Sequence, residues 1–253
     1  MKYQKYIEAL NECMKNQDET HFLAKQLLII HSEVRKRKSP VILELGVDRG
    51  QSTKVFLNAI DDKENAQLIS VDIRDCSKAA HSEKWNFIQS DSTNEDEIIK
   101  KAPILKDGID ILYIDSLHTK EHVLKEISYF YKYMNKGSVI FIDDIDSFPY
   151  MKGKRKDNLY IEYNNREILS LVENIYHSNM SALDLTIYRG STGLAQVEKR
   201  NEKGLELNSP LKNKIRNYNI VNKLIYKLFY KKSYHHSICD NSSFLLDPTR
   251  YEK

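Results

Sequence analysis

From residue 41 the chain alternates short apolar runs with stretches of helical periodicity. The runs are Val41–Leu45, Leu68–Val71, Trp85–Ile88, Ile109–Ile114 and Ser138–Ile142. Between them, Ser52–Ile60, Glu95–Lys101 and Glu121–Met134 carry apolar residues at helical spacing. Near-continuous apolar strands separated by helices predict a parallel sheet covered on both faces. A further helix around Arg166–Tyr176 precedes two more runs, Leu183–Tyr188 and Gly193–Val197, which are joined by a turn containing Arg189, Gly190 and Ser191. That is a hairpin signal, so an antiparallel edge on the parallel sheet is expected.

Ahead of the sheet, residues 1–38 read as helical. Tyr6, Leu10 and Cys13 share one face. After a polar break at 16–20, Phe22, Leu23, Leu27, Leu28, Ile30 and Val34 mark a second helix, which Ser39 and Pro40 end. Beyond Gly204, Pro210 opens a run with Leu211, Ile215, Tyr218, Val221, Ile225, Leu228 and Phe229 at helical spacing. The pattern divides the chain into an N-terminal helical segment (1–38), an α/β domain (39–200) and a C-terminal tail (205–253).

Composition narrows the class. With 41% apolar and 30% charged residues, the chain reads as a globular protein with a polar lean. No apolar stretch reaches the roughly 20 residues of a membrane-spanning helix. The first residues lack the apolar run and cleavage site of a secretory signal. Cys13, Cys76 and Cys239 are widely spaced and form no C-x-x-C pair, so neither a disulfide framework nor a thiolate zinc site is expected. Reduced thiols and a cytoplasmic location are the expectation. The net charge of +3 is unevenly spread. Residues 211–236 hold Lys212, Lys214, Arg216, Lys223, Lys227, Lys231 and Lys232 with no acid, so the rest of the chain is net acidic.

The chemistry lies at the strand ends. The first strand runs through Glu44 into Gly46, then Gly50, then a helix that starts at Ser52. Glycines permit a tight turn and close approach of a ligand to the backbone. The new helix offers unpaired N–H groups and a positive dipole end. The third glycine of a dinucleotide site, G-x-G-x-x-G, is absent, which disfavours a nicotinamide enzyme. The second strand ends at Asp72, whose carboxylate can accept hydrogen bonds from both hydroxyls of a ribose. The third ends in Gln89, Ser90, Asp91 and Ser92, a polar cluster suited to an adenine edge. The fourth ends at Asp115 and the fifth at Asp143 and Asp144. Adjacent parallel strands bring these three carboxylates to one edge, where like charges raise each other's pKa unless a cation joins them. A hard divalent ion suits such oxygen ligands.

The E-x-G-x-x-x-G turn and the order of polar strand ends resemble the class I S-adenosylmethionine-dependent methyltransferases over roughly residues 40–197. The resemblance implies a Rossmann-like α/β sheet, mostly parallel with an antiparallel C-terminal hairpin and helices on both faces. It implies an S-adenosylmethionine site built from Glu44, Gly46, Gly50, Ser52, Asp72, Asp91 and Asp115. The stretches from Tyr113 to Glu126 and from Gly137 to Asp144 resemble the metal-dependent O-methyltransferases, above all the macrocin-type sugar enzymes and the cephalosporin-hydroxylase-like group. That likeness implies Mg²⁺ (or Mn²⁺) held by Asp115, Asp143 and Asp144, with His118 as the base. Catechol-type enzymes share the layout more distantly, with Asn in place of Asp144 and Lys in place of His118. His122, one helical turn on, is expected to be structural.

The expected activity is metal-assisted methyl transfer to a hydroxyl of a small molecule, a sugar or sugar-linked intermediate of surface-glycan or secondary metabolism. A metal-independent methyltransferase and a non-catalytic S-adenosylmethionine-binding module stay open. Nucleic acid is not expected as a partner. The N/D-P-P-Y/F loop of amine-methylating enzymes is replaced by Asp115, Ser116, Leu117 and His118. Three readings of the basic run 211–233 stay open: packing on the domain or on a second copy in a homo-oligomer, lying on a membrane surface, or guiding an anionic acceptor. Acceptor contacts, or an oligomer contact in the case of 1–38, are expected from 1–38 and 145–165, including the basic loop 151–156.

Overall fold

A computed structural model describes residues 2–16, 19–154, 156–210, 220–225 and 228. The chain forms two units, Met1–Leu211 and Lys212–Lys253. The first holds helices α1 (Gln4–Cys13) and α2 (Glu19–Arg35), then β1 (Val41–Leu45), α3 (Gln51–Ile60), β2 (Gln67–Asp72), β3 (Trp85–Gln89) and α4 (Glu95–Lys101). It continues with β4 (Ile109–Ile114), α5 (Lys120–Phe130), β5 (Met134–Asp143), α6 (Leu159–Ser178), β6 (Leu183–Tyr188) and β7 (Leu194–Lys199). In the second unit, α7 (Ile220–Ile225) is the described helix, with Ile220, Val221 and Leu224 exposed. Most of the expected basic helix over 211–233 lies outside the described residues. No described helix is long and apolar enough to cross a membrane.

The seven strands lie in the order β3-β2-β1-β4-β5-β7-β6. The first five are parallel, and β7 runs antiparallel between β5 and β6. The parallel core, hairpin edge and two covered faces expected from the apolar pattern are all present. Strand alternation sorts the core. Ile42, Leu68, Ile111, Val139 and Phe141 face α1, α2 and α3. Leu43, Ile69, Leu112 and Ile140 face α4, α5 and α6. The chain order reverses between β1 and β4, the switch point beside which doubly wound sheets hold ligands.

The larger departures of element edges from the periodicity fall at three places. The helix expected over Glu121–Met134 stops at Phe130, and β5 already begins at Met134, pairing Ile109 across a register shift. Helix α6 begins at Leu159, not Arg166, because Asn158 caps it by accepting from the N–H groups of Tyr160 and Ile161. Its first turns carry exposed Leu159, Tyr160 and Tyr163, which hide the amphipathic pattern. The last strand runs to Lys199, since its final residues pair with the start of β6.

Beneath the glycine turn sits a buried carboxylate. Glu44 is 0% exposed and accepts from the hydroxyls of Ser52 (2.5 Å), Thr53 (2.8 Å) and Ser70 (2.6 Å). It thereby ties β1 and β2 to the first turn of α3. Burial pushes its carboxyl up to about 7, against the pull of the three hydroxyls. Glu44→Ala is expected to cost about 2–3 kcal/mol, because the hydroxyls lose a shared acceptor in a closed space. Glu44→Gln should cost clearly less. Urea unfolding of the two variants checks this.

Candidate active site

The loop after β1 closes over the end of β2. Gly46, Asp48 and Gly50 all take the left-handed conformation, with φ of 98°, 45° and 72°. A Cβ at Gly46 would stand 2.0 Å from the Asp115 carbonyl oxygen, so only glycine fits there. Asp72 fastens the loop. One of its oxygens accepts from the N–H groups of Val47 (2.9 Å) and Asp48 (3.2 Å), the other from Arg74 N–H (2.9 Å). Burial opposes the charge on Asp72, yet these N–H groups hold its carboxyl below the usual range.

This loop walls a cavity of about 610 Å³ that also includes Gly46, Asp72, Asp91, Asp115 and His118. Asp91 stands exposed on the rim, with one oxygen accepting from the N–H and hydroxyl of Thr93. Those bonds hold its carboxyl below the usual range. On the far wall, His122 Nε2 lies 2.9 Å from Ser92 Oγ and 3.2 Å from Glu126 Oε1. Glu126 is fully buried and also accepts from Ser116 Oγ at 2.5 Å. Its bond to Glu126 raises the His122 pKa. The structure thus sets His122 in the cavity wall, a place the sequence pattern did not indicate.

Glu44 and Ser52, expected at the cofactor, sit behind the loop instead. Both are buried, and each is engaged with the other. Gly50 likewise shapes the turn from outside the lining, as the left-handed residue before α3.

The second cluster stands at the ends of β4 and β5. One ligand atom each from Asp115, His118 and Asp144 falls within 4.8 Å of the others. His118 Nε2 is 3.0 Å from Asp144 and 3.6 Å from Asp115. Asp143 is set back from this group among the described residues. One of its oxygens accepts from Thr192 Oγ1 and from the Asp144 N–H, both at 2.7 Å. The other accepts from the Tyr113 hydroxyl at 3.1 Å, and that hydroxyl lies equally 3.1 Å from Asp115. Strand alternation puts Tyr113, Asp115 and Asp143 on one face of the sheet. A left-handed Asp144, with φ of 57°, leaves that alternation and returns its carboxylate to Asp115 and His118.

The electrostatics follow from crowding. Burial raises the Asp115 carboxyl well above the usual range, reinforced by the charges of Asp143 and Asp144. The Asp144 carboxyl is pushed up to about 6 by burial and by Asp143, partly offset by His118. Two carboxylates that resist ionisation side by side, joined by an imidazole, make an oxygen-rich set that suits a hard divalent cation.

Residues 43–145 match the family model described as a methyltransferase domain. The chain holds the glycine loop, Asp72, Asp115, Asp143 and Asp144 within that matched stretch. Among solved structures it resembles the MycE methyltransferase of the mycinamycin biosynthetic pathway, solved with Mg and SAH. That likeness has a TM-score of 0.54 at 17% identity, covering 79% of this chain and 55% of that one. The chain therefore spans about half the length of MycE. It also resembles the Podospora anserina methyltransferase PaMTH1, solved with SAH, with a TM-score of 0.56 at 13% identity over 78% of this chain and 88% of the other. At such identities these likenesses speak for the fold. A curated relative, an uncharacterized protein of Acanthamoeba polyphaga mimivirus, is 43% identical over 44 residues, 17% of this chain and 20% of its own length.

Within the matched stretch, the glycine loop and the carboxylate cluster meet at the Gly46–Asp115 contact. Gly46→Ala should weaken S-adenosylmethionine binding by about tenfold or more, since the side chain forces β1 and β4 apart and must itself take a disfavoured φ. Calorimetric titration reads this out.

The raised Asp144 carboxyl gives a second expectation. Its folded pKa, about 6, exceeds the usual 3.8, so the native state binds the proton more tightly than the unfolded chain. Without a divalent cation, Asp144 therefore adds stability at low pH that is lost as pH rises from about 4 through about 6. Saturating Mg²⁺ should restore about 2.7 kcal/mol near pH 7.5 at a hundredfold excess over Kd, and much less near pH 5. Thermal unfolding with Mg²⁺ and with chelator tests this, and Asp144→Asn should lose most of the difference.

Proposed function

We propose that the protein is a metal-assisted, S-adenosylmethionine-dependent O-methyltransferase acting on a hydroxyl of a small, sugar-containing acceptor. The observation that carries this reading is the Asp115, His118 and Asp144 group beside a cavity walled by the glycine loop and Asp72. When bound, S-adenosylmethionine would supply an electrophilic methyl group for a single displacement in which the O–CH3 bond forms as the S–CH3 bond breaks and S-adenosylhomocysteine leaves. Asp115 and Asp144 would hold a divalent cation, Mg²⁺ or Mn²⁺, which when bound would supply Lewis acidity to that hydroxyl. The sugar class rests on the macrocin-type resemblance of the segments that bear the carboxylates.

Each residue then has a role. Asp72 accepts from the ribose hydroxyls while keeping the loop in place, and Asp91 meets the adenine edge with its remaining oxygen. Asp115 and Asp144 hold the cation. Asp143 serves from behind, keeping Tyr113 and the turn at Thr192 in register with the ligand carboxylates. His118 takes the hydroxyl proton. Its Nε2 lies 3.0 Å from Asp144, so an imidazolium formed there would be stabilised by that carboxylate.

His118→Ala should lower kcat by roughly 10²–10⁴ with S-adenosylmethionine affinity nearly unchanged. Wild type and variant are measured at saturating Mg²⁺, because weakened metal binding would otherwise imitate a missing base. Turnover that survives exhaustive chelation would overturn the metal-assisted mechanism in favour of a metal-independent methyltransferase.

A further inference from the structure

A second cavity, of about 700 Å³, is lined in part by the segment that follows β5. Its walls include Phe22 from α2, Phe148 and Lys154 from the segment after β5, and Arg189 and Gly190 from the β6–β7 turn. Asp146, two residues past Asp144, forms its floor. Thr192, which donates to Asp143, stands two residues after Gly190. The same two loops therefore shape the cluster and this cleft.

The cleft is a built feature. Asp146 is 4% exposed and accepts from Phe148 N–H (3.1 Å) and Gly190 N–H (3.0 Å), while its own N–H donates to Thr192 (2.7 Å). The Gly190 carbonyl accepts from Gln26 Nε2 at 2.8 Å, which ties α2 to the turn. A Cβ at Gly190 would stand 2.4 Å from the Phe22 ring, so the glycine lets that ring lie against bare backbone.

Its chemistry is twofold. Phe22 and Phe148 stay 40% and 58% exposed, leaving two aromatic surfaces open on the walls. Two cations stand among them. Lys154 lies 4.4 Å over the Phe148 ring and makes no ion pair with a described carboxylate. Arg189 is 3.6 Å from Asp146, beyond hydrogen-bond distance, so its donors are left for another acceptor. Against a single buried acid, the cleft keeps a net positive charge. Aromatic walls with a small number of placed charges are the make-up of a small-molecule site, and guanidinium with ammonium suits a phosphate oxygen cluster.

We propose that this cleft is the acceptor subsite and takes a ring-bearing phosphate ester, with the ring between Phe22 and Phe148 and the phosphate on Lys154 and Arg189. This rests on the O-methyltransferase reading and names the class of its acceptor. Asp146 of its lining follows Asp144 by two residues and is bonded to the same turn at Thr192 that holds Asp143, which links the cleft to the carboxylate cluster.

Phenyl phosphate and inorganic phosphate serve as probes in calorimetric titrations without divalent cation, with S-adenosylmethionine binding measured on the same samples. Phenyl phosphate should bind the wild type about tenfold or more tighter than inorganic phosphate. The Lys154→Gln/Arg189→Gln double variant should lose that binding by about tenfold or more, and Phe148→Ala should bring it near the level of inorganic phosphate. S-adenosylmethionine affinity should hold in both variants, which also shows that they fold. Equal binding by wild type and double variant, or no binding of phenyl phosphate beside normal S-adenosylmethionine binding, overturns this inference alone. Phenyl phosphate binding without S-adenosylmethionine binding would instead sink the methyltransferase reading and leave the anion cleft standing.

Discussion

Three carboxylates at the ends of two neighbouring parallel strands set the terms for the rest of this structure. Asp115, Asp143 and Asp144 are brought together by the sheet, and like charges in a half-buried place resist joint ionisation. The fold answers in two ways. Asp143 is engaged by donors, from Thr192, the Asp144 N–H and the Tyr113 hydroxyl. Asp115 and Asp144 are left with an imidazole between them and carboxyls raised above the usual range. Tyr113 spans both halves, since its hydroxyl meets Asp115 and Asp143 at the same distance. Burial and the two acids keep that phenol protonated, so it remains a donor.

Two other acids show how environment divides the work among residues of one type. Glu44 and Asp72 belong to adjacent strands, and neither is freely exposed. Glu44 meets only neutral hydroxyls in a closed space, and burial prevails. Asp72 meets aligned backbone N–H groups, and the charge prevails. The first is a brace that can carry a proton near neutrality. The second is a fixed negative charge on the cavity wall, suited to a ligand that offers hydroxyl donors.

Much of this was legible in the chain. Apolar runs and helical spacing gave the element order, and the order of polar strand ends gave the residues of the cavity. Period-two alternation also placed Tyr113 on the face of Asp115, a signal present in the sequence and left unused. What was hidden depends on backbone conformation and on distance along the chain. No periodicity announces that Asp144 is left-handed, so the division of labour between it and Asp143 could not be read. Glu44 and Ser52 belong to the motif, but a motif does not say which side of a loop a side chain occupies. His122 reaches the cavity because Ser92, thirty residues earlier, offers it a partner. Phe22 and Arg189 meet in one cleft only through the fold.

Main-chain contacts join the two halves of the site. Gly46 donates to Val71 at 2.8 Å, Asp115 donates to Leu45 at 2.8 Å, and the Gly46 α-carbon packs against the Asp115 carbonyl too tightly for any side chain. The loop that shapes the cofactor cavity and the strand end that carries Asp115 therefore move as one piece. A shift of the β1 loop would carry Asp115 with it and open the spacing to Asp144, which hangs on β5 and the Thr192 turn. In-line transfer between two bound molecules depends on distances held to fractions of an ångström. In the proposed reading, a rigid backbone joint between the glycine loop and Asp115 meets that demand, whereas the cleft at Phe22 and Arg189 is formed by side chains on separate loops.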